Sequence, residues 1–155
     1  MAIASKRRAL LIVNPKARNG KGFSADMRAI LEQGGISLVE KTAKSDETIS
    51  DVILGNRDVD LVIVGGGDGT LNAAAKGLME TKLPLAILPL GTANDFARTI
   101  GIPADPTEAT RQLLNYQQLP IDLGEVNGHL YFNVASIGFS AELAQKLSAD
   151  AKKKW

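Results

Sequence analysis

The stretch GGGDGT at residues 65–70 follows the apolar run LVIV at 61–64, and the stretch PLGTANDFAR at 89–98 follows a second apolar run, LAIL at 85–88. Each stretch leads into a helix-like pattern. A glycine-rich turn between a buried strand and a helix exposes backbone N–H groups and the positive end of the helix dipole, which together bind phosphate. Two such turns on neighbouring strands therefore predict a nucleotide site.

Strand and helix patterns alternate along the first 117 residues of the chain. Short apolar runs predict strands at 9–13, 61–64 and 85–88, and 36–41 also has the pattern of a strand. Apolar residues spaced by three or four predict helices at 23–33 and 46–56, and further helices are predicted at 70–80, 93–100 and 106–117. The second helix has Ser45 or Asp46 as its expected N-cap. This order predicts the α/β class, with a parallel sheet, right-handed crossovers and helices on both faces.

The predicted sheet gathers several polar segments at one edge. Ligands of such sheets bind beyond the carboxyl ends of the strands. The loop that starts at Asn14, Thr42 and the two glycine-rich stretches all follow such ends. Their convergence is stronger evidence for a site than any one of them alone.

A different pattern begins after Pro120. Segments 121–126 and 130–137 are separated by Asn127-Gly128, a strong hairpin signal, and 140–155 has a helical pattern. Two strands seldom form a stable domain by themselves. We therefore predict an α/β nucleotide-binding domain over 1–119 and, over 120–155, the start of a second, β-rich domain that a longer parent protein would complete.

Composition narrows the function class. The 155 residues are 45% hydrophobic and 23% charged, which suits a domain with a core, and a net charge of +1 gives no indication of a nucleic-acid partner. The lack of cysteine excludes disulfides and thiolate metal sites, and one histidine, His129, excludes a multi-histidine site. Apolar runs are too short for a membrane helix of about 20 residues or for a signal-peptide core, so a cytoplasmic protein is expected.

The first glycine-rich stretch carries the sharpest hypothesis. Its glycines either let the backbone approach a phosphate or simply supply positive φ angles in a turn. A carboxylate at Asp68 among phosphate-facing N–H groups needs a cation, and Mg²⁺ that bridges phosphate oxygens provides one. The alternative is that Asp68 is a helix cap, although Gly69 and Thr70 stand closer to the predicted helix start. Thr70 and Asn72 either cap that helix or contact phosphate.

The second stretch and the first loop contribute further candidates. The Thr92 hydroxyl can donate to a phosphate, and Asn94 is of a common helix-cap type. Asp95 is a cap, a partner of Arg98 or a substrate-facing group. The loop 14–22 carries three cations and two glycines, which suits either phosphate binding or an exposed basic loop. It is not a Walker A motif, because glycine follows Lys21.

Three segments together resemble the diacylglycerol kinase catalytic-domain family, and the bacterial soluble lipid kinases are its most similar branch. They are VNPKARNGKG (13–22), GGGDGTLN (65–72) and PLGTANDFAR (89–98), and the likeness continues through 121–124 and 135–139. The GGDGT element is shared with sphingosine, ceramide and NAD kinases and, loosely, with phosphofructokinases. The second stretch has the diacylglycerol kinase form, which makes it the more specific of the two.

The resemblance implies a phosphofructokinase- and NAD kinase-like domain that binds ATP, followed by a β-sandwich domain that completes the lipid site. ATP and Mg²⁺ would lie between them, and γ-phosphoryl transfer would go to a lipid hydroxyl met transiently at a membrane surface. Asp68 would be the catalytic residue, acting indirectly on magnesium bound to the nucleotide. The expected nucleotide contacts, including two helix-start residues of the second stretch, are Asn14, Pro15, Lys16, Thr42, Gly66, Gly67, Asp68, Gly69, Thr70, Leu71, Asn72, Thr92, Asn94 and Asp95.

The resemblance places the catalytic base and a further metal site in the second domain, and no residue of this chain matches them. The chain is therefore expected to be the nucleotide half of a lipid kinase, weak or inactive alone. Two alternatives remain at this point: an NAD kinase, and a nucleotide-binding module without catalysis. Exposed apolar surface on an incomplete second domain would favour a homodimer.

Overall fold

The computed structural model describes residues 6–16, 22–44 and 46–133. Its centre is a sheet of four parallel strands in the order β2-β1-β3-β4. The strands are β1 (Arg7–Val13), β2 (Ile36–Lys41), β3 (Leu61–Gly66) and β4 (Leu85–Pro89). All four carboxyl ends therefore lie at one edge, as the order of elements predicts.

Five helices cover both faces of the sheet in the described part of the chain. They are α1 (Ala25–Gln33), α2 (Ile49–Leu54), α3 (Asp68–Thr81), α4 (Asp95–Thr99) and α5 (Pro106–Leu114). Alternate residues of β1 and β3 point to opposite sides: Leu10 and Val62 pack with α2, α3 and α4, whereas Leu11 and Ile63 pack with α1 and α5. The predicted α/β class is confirmed.

Side-chain caps determine where three of the helices begin. Ser24 accepts the N–H of Met27 at 3.2 Å and starts α1 two residues later than predicted, and Asp105 caps α5 ahead of Pro106. The predicted cap of α2 at Ser45 or Asp46 is wrong. Thr48 is the cap, because it and Asp51, three residues later, each accept the other's backbone N–H, which forms a capping box.

The first glycine-rich stretch is shorter as a turn than its sequence suggests. Gly65 and Gly66 are strand residues that pair with Leu88 and Pro89 of β4, and α3 begins at Asp68 rather than at residue 70. Gly67 alone separates strand from helix. The continuous backbone pairing of β3 with its neighbours carries the strand through the two glycines.

A buried hydroxyl joins α2 to α3. Ser50 donates to the Ala73 carbonyl at 2.8 Å and accepts the Gly77 N–H at 2.9 Å. A Cβ at residue 77 would lie 2.8 Å from the Ser50 carbonyl oxygen, so the close crossing of the two helices requires glycine there. This contact brings the start of α2 beside the middle of α3.

The predicted hairpin forms as β5 (Gly124–Val126) and β6 (His129–Tyr131), a separate antiparallel pair. Asn127 and Gly128 have φ of 49° and 79°, as a two-residue hairpin turn requires. β5 begins three residues later than predicted, and His129 is an exposed strand residue. The rest of the second predicted strand from residue 134, and the predicted helix 140–155, lie outside the described residues.

Candidate functional site

Three of the segments that follow strand ends share one cavity at the carboxyl edge of the sheet. Its volume is about 300 Å³, at the lower end of the range of about 300–1,000 Å³ typical of small-molecule sites. Polar groups come from the loop after β1, the end of β2 and the first turn of α3, and small apolar side chains form the remaining wall. The lining residues are Ile12, Val13, Asn14, Pro15, Thr42, Ala43, Ile49, Gly69, Thr70 and Ala73.

Asn14 ties the first loop to the start of α3. Its N–H donates to the Gly65 carbonyl at 2.9 Å, its Oδ1 accepts the Lys16 N–H at 2.9 Å, and its Nδ2 donates to Thr70 Oγ1 at 3.2 Å. Thr70 is only 6% exposed. The positions of both polar side chains are therefore set by the protein before any ligand arrives.

In the run 65–69, glycine is not required for unusual backbone angles; where it is required, the reason is that another group packs closely against the backbone. The positive-φ glycines of the described chain are Gly22, Gly35, Gly101 and Gly128, so the hypothesis that run 65–69 needs positive φ is wrong. A Cβ at Gly66 would lie 2.5 Å from Thr70 Oγ1, whereas a Cβ at Gly69 would meet nothing within 4 Å. Gly66 is thus required by packing, and Gly69 faces the open cavity.

Asp68 holds a second helix. Its Oδ2 accepts the Asp95 N–H and its Oδ1 accepts the Phe96 N–H, each at 3.0 Å. The first N–H groups of a helix lack intrahelical acceptors, and a carboxylate is a strong substitute. Asp68 is therefore a helix cap after all, but for α4, 27 residues further along the chain, rather than for its own helix.

In the second glycine-rich turn, the side chain of Asn94 closes the turn through hydrogen bonds to the backbone of Gly91. Asn94 has φ of 51° and its side chain makes no cap bond to α4. Instead its Oδ1 accepts the Gly91 N–H at 3.0 Å and its Nδ2 donates to the Gly91 carbonyl at 2.8 Å. The Asp95 carboxylate pairs with Arg98, which confirms the ion-pair interpretation of that residue. The cap predicted at Asn94 is supplied by Asp68.

The α2 cap beside the cavity also fixes a charge. The Thr48 hydroxyl donates to Asp51 Oδ2 at 2.6 Å, and the Thr48 N–H donates to the same oxygen at 2.9 Å. These two bonds hold the pKa of the Asp51 carboxyl below its ordinary value. Because Ile49 is the first residue of α2 and lines the cavity, this cap positions one wall of the site.

A sequence profile described as the diacylglycerol kinase catalytic domain matches residues 8–126. The chain belongs to the diacylglycerol kinase catalytic-domain family. The matched range contains both glycine-rich stretches, the loop that starts at Asn14 and residues 121–124, whereas residues 135–139, to which the resemblance extends, lie beyond it.

Individual relatives agree with this assignment to the family. A protein of Pseudomonas aeruginosa named "Probable lipid kinase YegS-like" is 51% identical over 94 residues, 59% of this chain and 31% of that protein. One of the same name from Pseudomonas syringae pv. tomato is 37% identical over 163 residues, 96% of this chain and 50% of that protein. The chain thus spans about half the length of the curated relatives it matches.

A crystal structure of a diacylglycerol kinase from Bacillus anthracis str. Sterne has the same fold. It matches with a TM-score of 0.72 and 27% identity, over 95% of this chain and 54% of that one. No helix in the described part of this diacylglycerol kinase-family chain is long and apolar enough to cross a bilayer.

The structure divides the predicted contact residues of this family member into two groups. Asn14, Pro15, Thr42, Gly69 and Thr70 line the cavity. The other nine predicted contacts are all described and do not line it. Gly66 and Leu71 are buried, and Gly67 is half-buried. Asp68, Asn94 and Asp95 connect the two turns to α4, Asn72 binds the hairpin, and Lys16 and Thr92 are exposed. The Leu71 side chain is 2% exposed and belongs to the core.

Five lining residues are absent from the predicted contacts. Ile12, Val13 and Ala43 lie in or just after strands whose carboxyl ends were expected at the site, whereas Ile49 and Ala73 belong to helices. Ile49 and Ala73 line the cavity beside Thr42 and Thr70. The pattern Thr48-x-x-Asp51 ahead of an apolar run is a helix-start signal and would have placed Ile49 at the first turn of α2. Ala73 follows Thr70 by three residues, which is the spacing of one helix face. Neither signal says that the two helices approach each other.

Proposed function

We propose that this chain carries the nucleotide-binding half of an ATP-dependent lipid kinase, which transfers the γ-phosphoryl group of ATP to a lipid hydroxyl. The observation that carries the proposal is the cavity at the carboxyl edge, where Asn14, Thr42 and Thr70 meet at the start of α3. Membership of the diacylglycerol kinase family supports the reaction class.

The cavity suits part of a nucleotide. Thr42 and Thr70 supply hydroxyl groups, Asn14 supplies an amide, and Ile49 with Ala73 supplies apolar surface. α3 is 14 residues long and its first turn, at Gly69, faces the cavity, so the positive end of its dipole favours a phosphate there. Gly69 leaves that approach open because it has no side chain.

Magnesium would be held chiefly by the nucleotide. Within residues 6–16, 22–44 and 46–133, no three acidic or histidine side chains form a metal-holding group. Mg²⁺ is commonly bound through one or two carboxylates together with substrate phosphates, and it neutralises charge in phosphoryl transfer. A carboxylate has about four acceptor sites, so Asp68 can hold α4 and still act on magnesium bound to the nucleotide.

The acceptor class rests on the relatives. Those quoted above are named as lipid kinases and a diacylglycerol kinase. We propose a lipid alcohol that is met transiently at a membrane surface, with the reaction on the cytoplasmic side, where ATP is supplied. Because the chain spans 50% of its Pseudomonas syringae relative, we also propose that it is weak or inactive as a lipid kinase by itself.

Calorimetry of ATP binding to this chain, with and without Mg²⁺, tests the proposal. Thr42→Val removes a hydroxyl at the cavity, and Gln117→Ala is a matched control at an exposed residue outside it. We expect magnesium-dependent binding that Thr42→Val weakens and Gln117→Ala leaves unchanged. A folded wild-type chain that binds no ATP would contradict the nucleotide site.

Phosphoryl transfer is then measured separately with labelled ATP and either diacylglycerol in mixed micelles or NAD as acceptor. We expect at most weak labelling of the lipid and none of NAD. Robust lipid phosphorylation by this chain would overturn the half-enzyme proposal, and labelling of NAD would replace the lipid with a dinucleotide.

A further inference from the structure

Asp68 and Asn72 are polar residues four apart on α3, a spacing that places them on one face of the helix. Asp68 accepts the N–H groups of Asp95 and Phe96. Asn72 Oδ1 accepts the N–H of Phe132 at 3.0 Å, although 60 residues separate them in sequence. One face of α3 therefore holds both the start of α4 and the end of the hairpin.

The two held segments also touch each other. The rings of Phe96 and Phe132 have centroids 5.1 Å apart and are tilted by 50°, a favourable arrangement for an aromatic pair. Phe96 is 7% exposed and belongs to the core. The contacts form a closed circuit, from α3 to α4 through Asp68, from α4 to the hairpin through the rings, and back to α3 through Asn72.

We propose that Asn72 is a positioning residue of the nucleotide site: it holds the hairpin against α4 and thereby fixes the second glycine-rich turn beside the first. This inference rests on the proposed function, and it assigns Asn72 an indirect role in place of the direct nucleotide contact that the sequence predicts. The side-chain oxygen of Asn72 is engaged by the Phe132 N–H, in agreement with such a role.

The two roles make opposite demands on the side chain. Asn72→Asp keeps an oxygen acceptor for the Phe132 N–H but adds a negative charge. If the side chain at residue 72 contacted phosphate directly, this added charge would repel the phosphate. Asn72→Leu keeps the approximate size and removes the acceptor. If Asn72 acts through the hairpin, Asp should preserve its function and Leu should not.

Amide hydrogen exchange, followed by NMR on the full 155-residue chain, measures how firmly α3 holds α4 and the hairpin, and it needs no nucleotide. We expect Asn72→Leu to accelerate exchange at Phe132, which it contacts, and at Asp95 and Phe96, which it does not. Asn72→Asp should leave all three near wild type. Glu80→Leu, an exposed substitution on the same helix, serves as the control. Unchanged exchange at Asp95 and Phe96 in the Leu variant would overturn the proposal.

Affinity for Mg²⁺–ATP supplies the second readout. We expect about a fivefold loss in Asn72→Leu, the order of magnitude of one neutral hydrogen bond, and rescue in Asn72→Asp. A loss in the Asp variant as large as in the Leu variant, with exchange still protected, would overturn the indirect role in favour of direct contact. A wild-type chain that binds no ATP would refute the proposed function instead, and the exchange data would still decide whether Asn72 fixes α4.

Discussion

Gly91 lies so close to Gly67 that a Cβ at residue 91 would stand 2.3 Å from the Gly67 Cα. The two glycine-rich turns are therefore in backbone contact. Asp68 and Asn94 reinforce this contact, since Asp68 reaches across to α4 and Asn94 closes the turn around Gly91. The parallel pairing of β3 with β4 brings the turns side by side, and the lack of side chains lets them touch.

Gly91→Ala should destabilise the fold by about 1–3 kcal/mol, because the added methyl group forces the two backbones apart. Urea unfolding measures this directly. Gly69→Ala is the matched control, since its Cβ would meet no atom within 4 Å. The control should be neutral or slightly stabilising in its helix, yet weaken ATP binding because the methyl group enters the cavity. Equal stability of the Gly91 variant and wild type would contradict the close contact.

Asp68→Ala should cost about 1–2 kcal/mol, because two N–H groups at the start of α4 lose their acceptor. The loss should appear in chelator-treated protein and be unchanged by added Mg²⁺, since the cap needs no metal. Amide exchange at Asp95 and Phe96 should accelerate in the same sample. Asp68→Asn retains one acceptor oxygen, so its free energy of unfolding should lie between those of wild type and Asp68→Ala. A loss seen only in the presence of Mg²⁺ and nucleotide would show that the carboxylate does not support α4.

Ser50→Ala should cost about 1–3 kcal/mol, because it leaves the Gly77 N–H and the Ala73 carbonyl without their shared hydroxyl at a buried crossing. Thr99→Ala offers a control, since that hydroxyl bonds a carbonyl at an exposed position and should change stability by less than about 0.5 kcal/mol. Comparable effects of the two substitutions in thermal or urea unfolding would count against the joining role of Ser50.

The lowered pKa of Asp51 makes the α2 cap sensitive to acid. A carboxyl with a folded pKa below its unfolded value contributes stability that is complete above the unfolded value, about 3.9, and is lost as pH falls through the folded pKa. The stability difference between wild type and Asp51→Asn should therefore be constant near neutrality and shrink below about pH 4. Urea unfolding of both proteins at several pH values measures this difference. A difference that grows as the pH falls would contradict a lowered pKa of Asp51.

Much of the fold follows from local patterns. Strand β2 has the predicted bounds, and β1, β3 and β4 lie where apolar runs predict them, because a buried parallel strand needs a continuous apolar run. Helix ends were less predictable. Ser45 and Asp46 have side chains suited to capping, but Thr48 is the N-cap of α2. It lies three residues before Asp51, which allows the two reciprocal hydrogen bonds of the capping box. The turn at Asn127 and Gly128 was predictable because its backbone angles depend on those two residues.

Local patterns and motifs were enough to predict the order of strands and helices, the edge of the sheet that carries Asn14, Thr42 and the glycine-rich stretches, and the family. Each depends on residues close together along the chain or on a motif. The roles of Asp68 and Asn72 became visible in the folded chain alone, because their hydrogen-bond partners lie 27 and 60 residues away and no periodicity connects them. The same holds for which glycines are packed and which one faces the cavity, since the space beside a glycine is set by atoms from other elements.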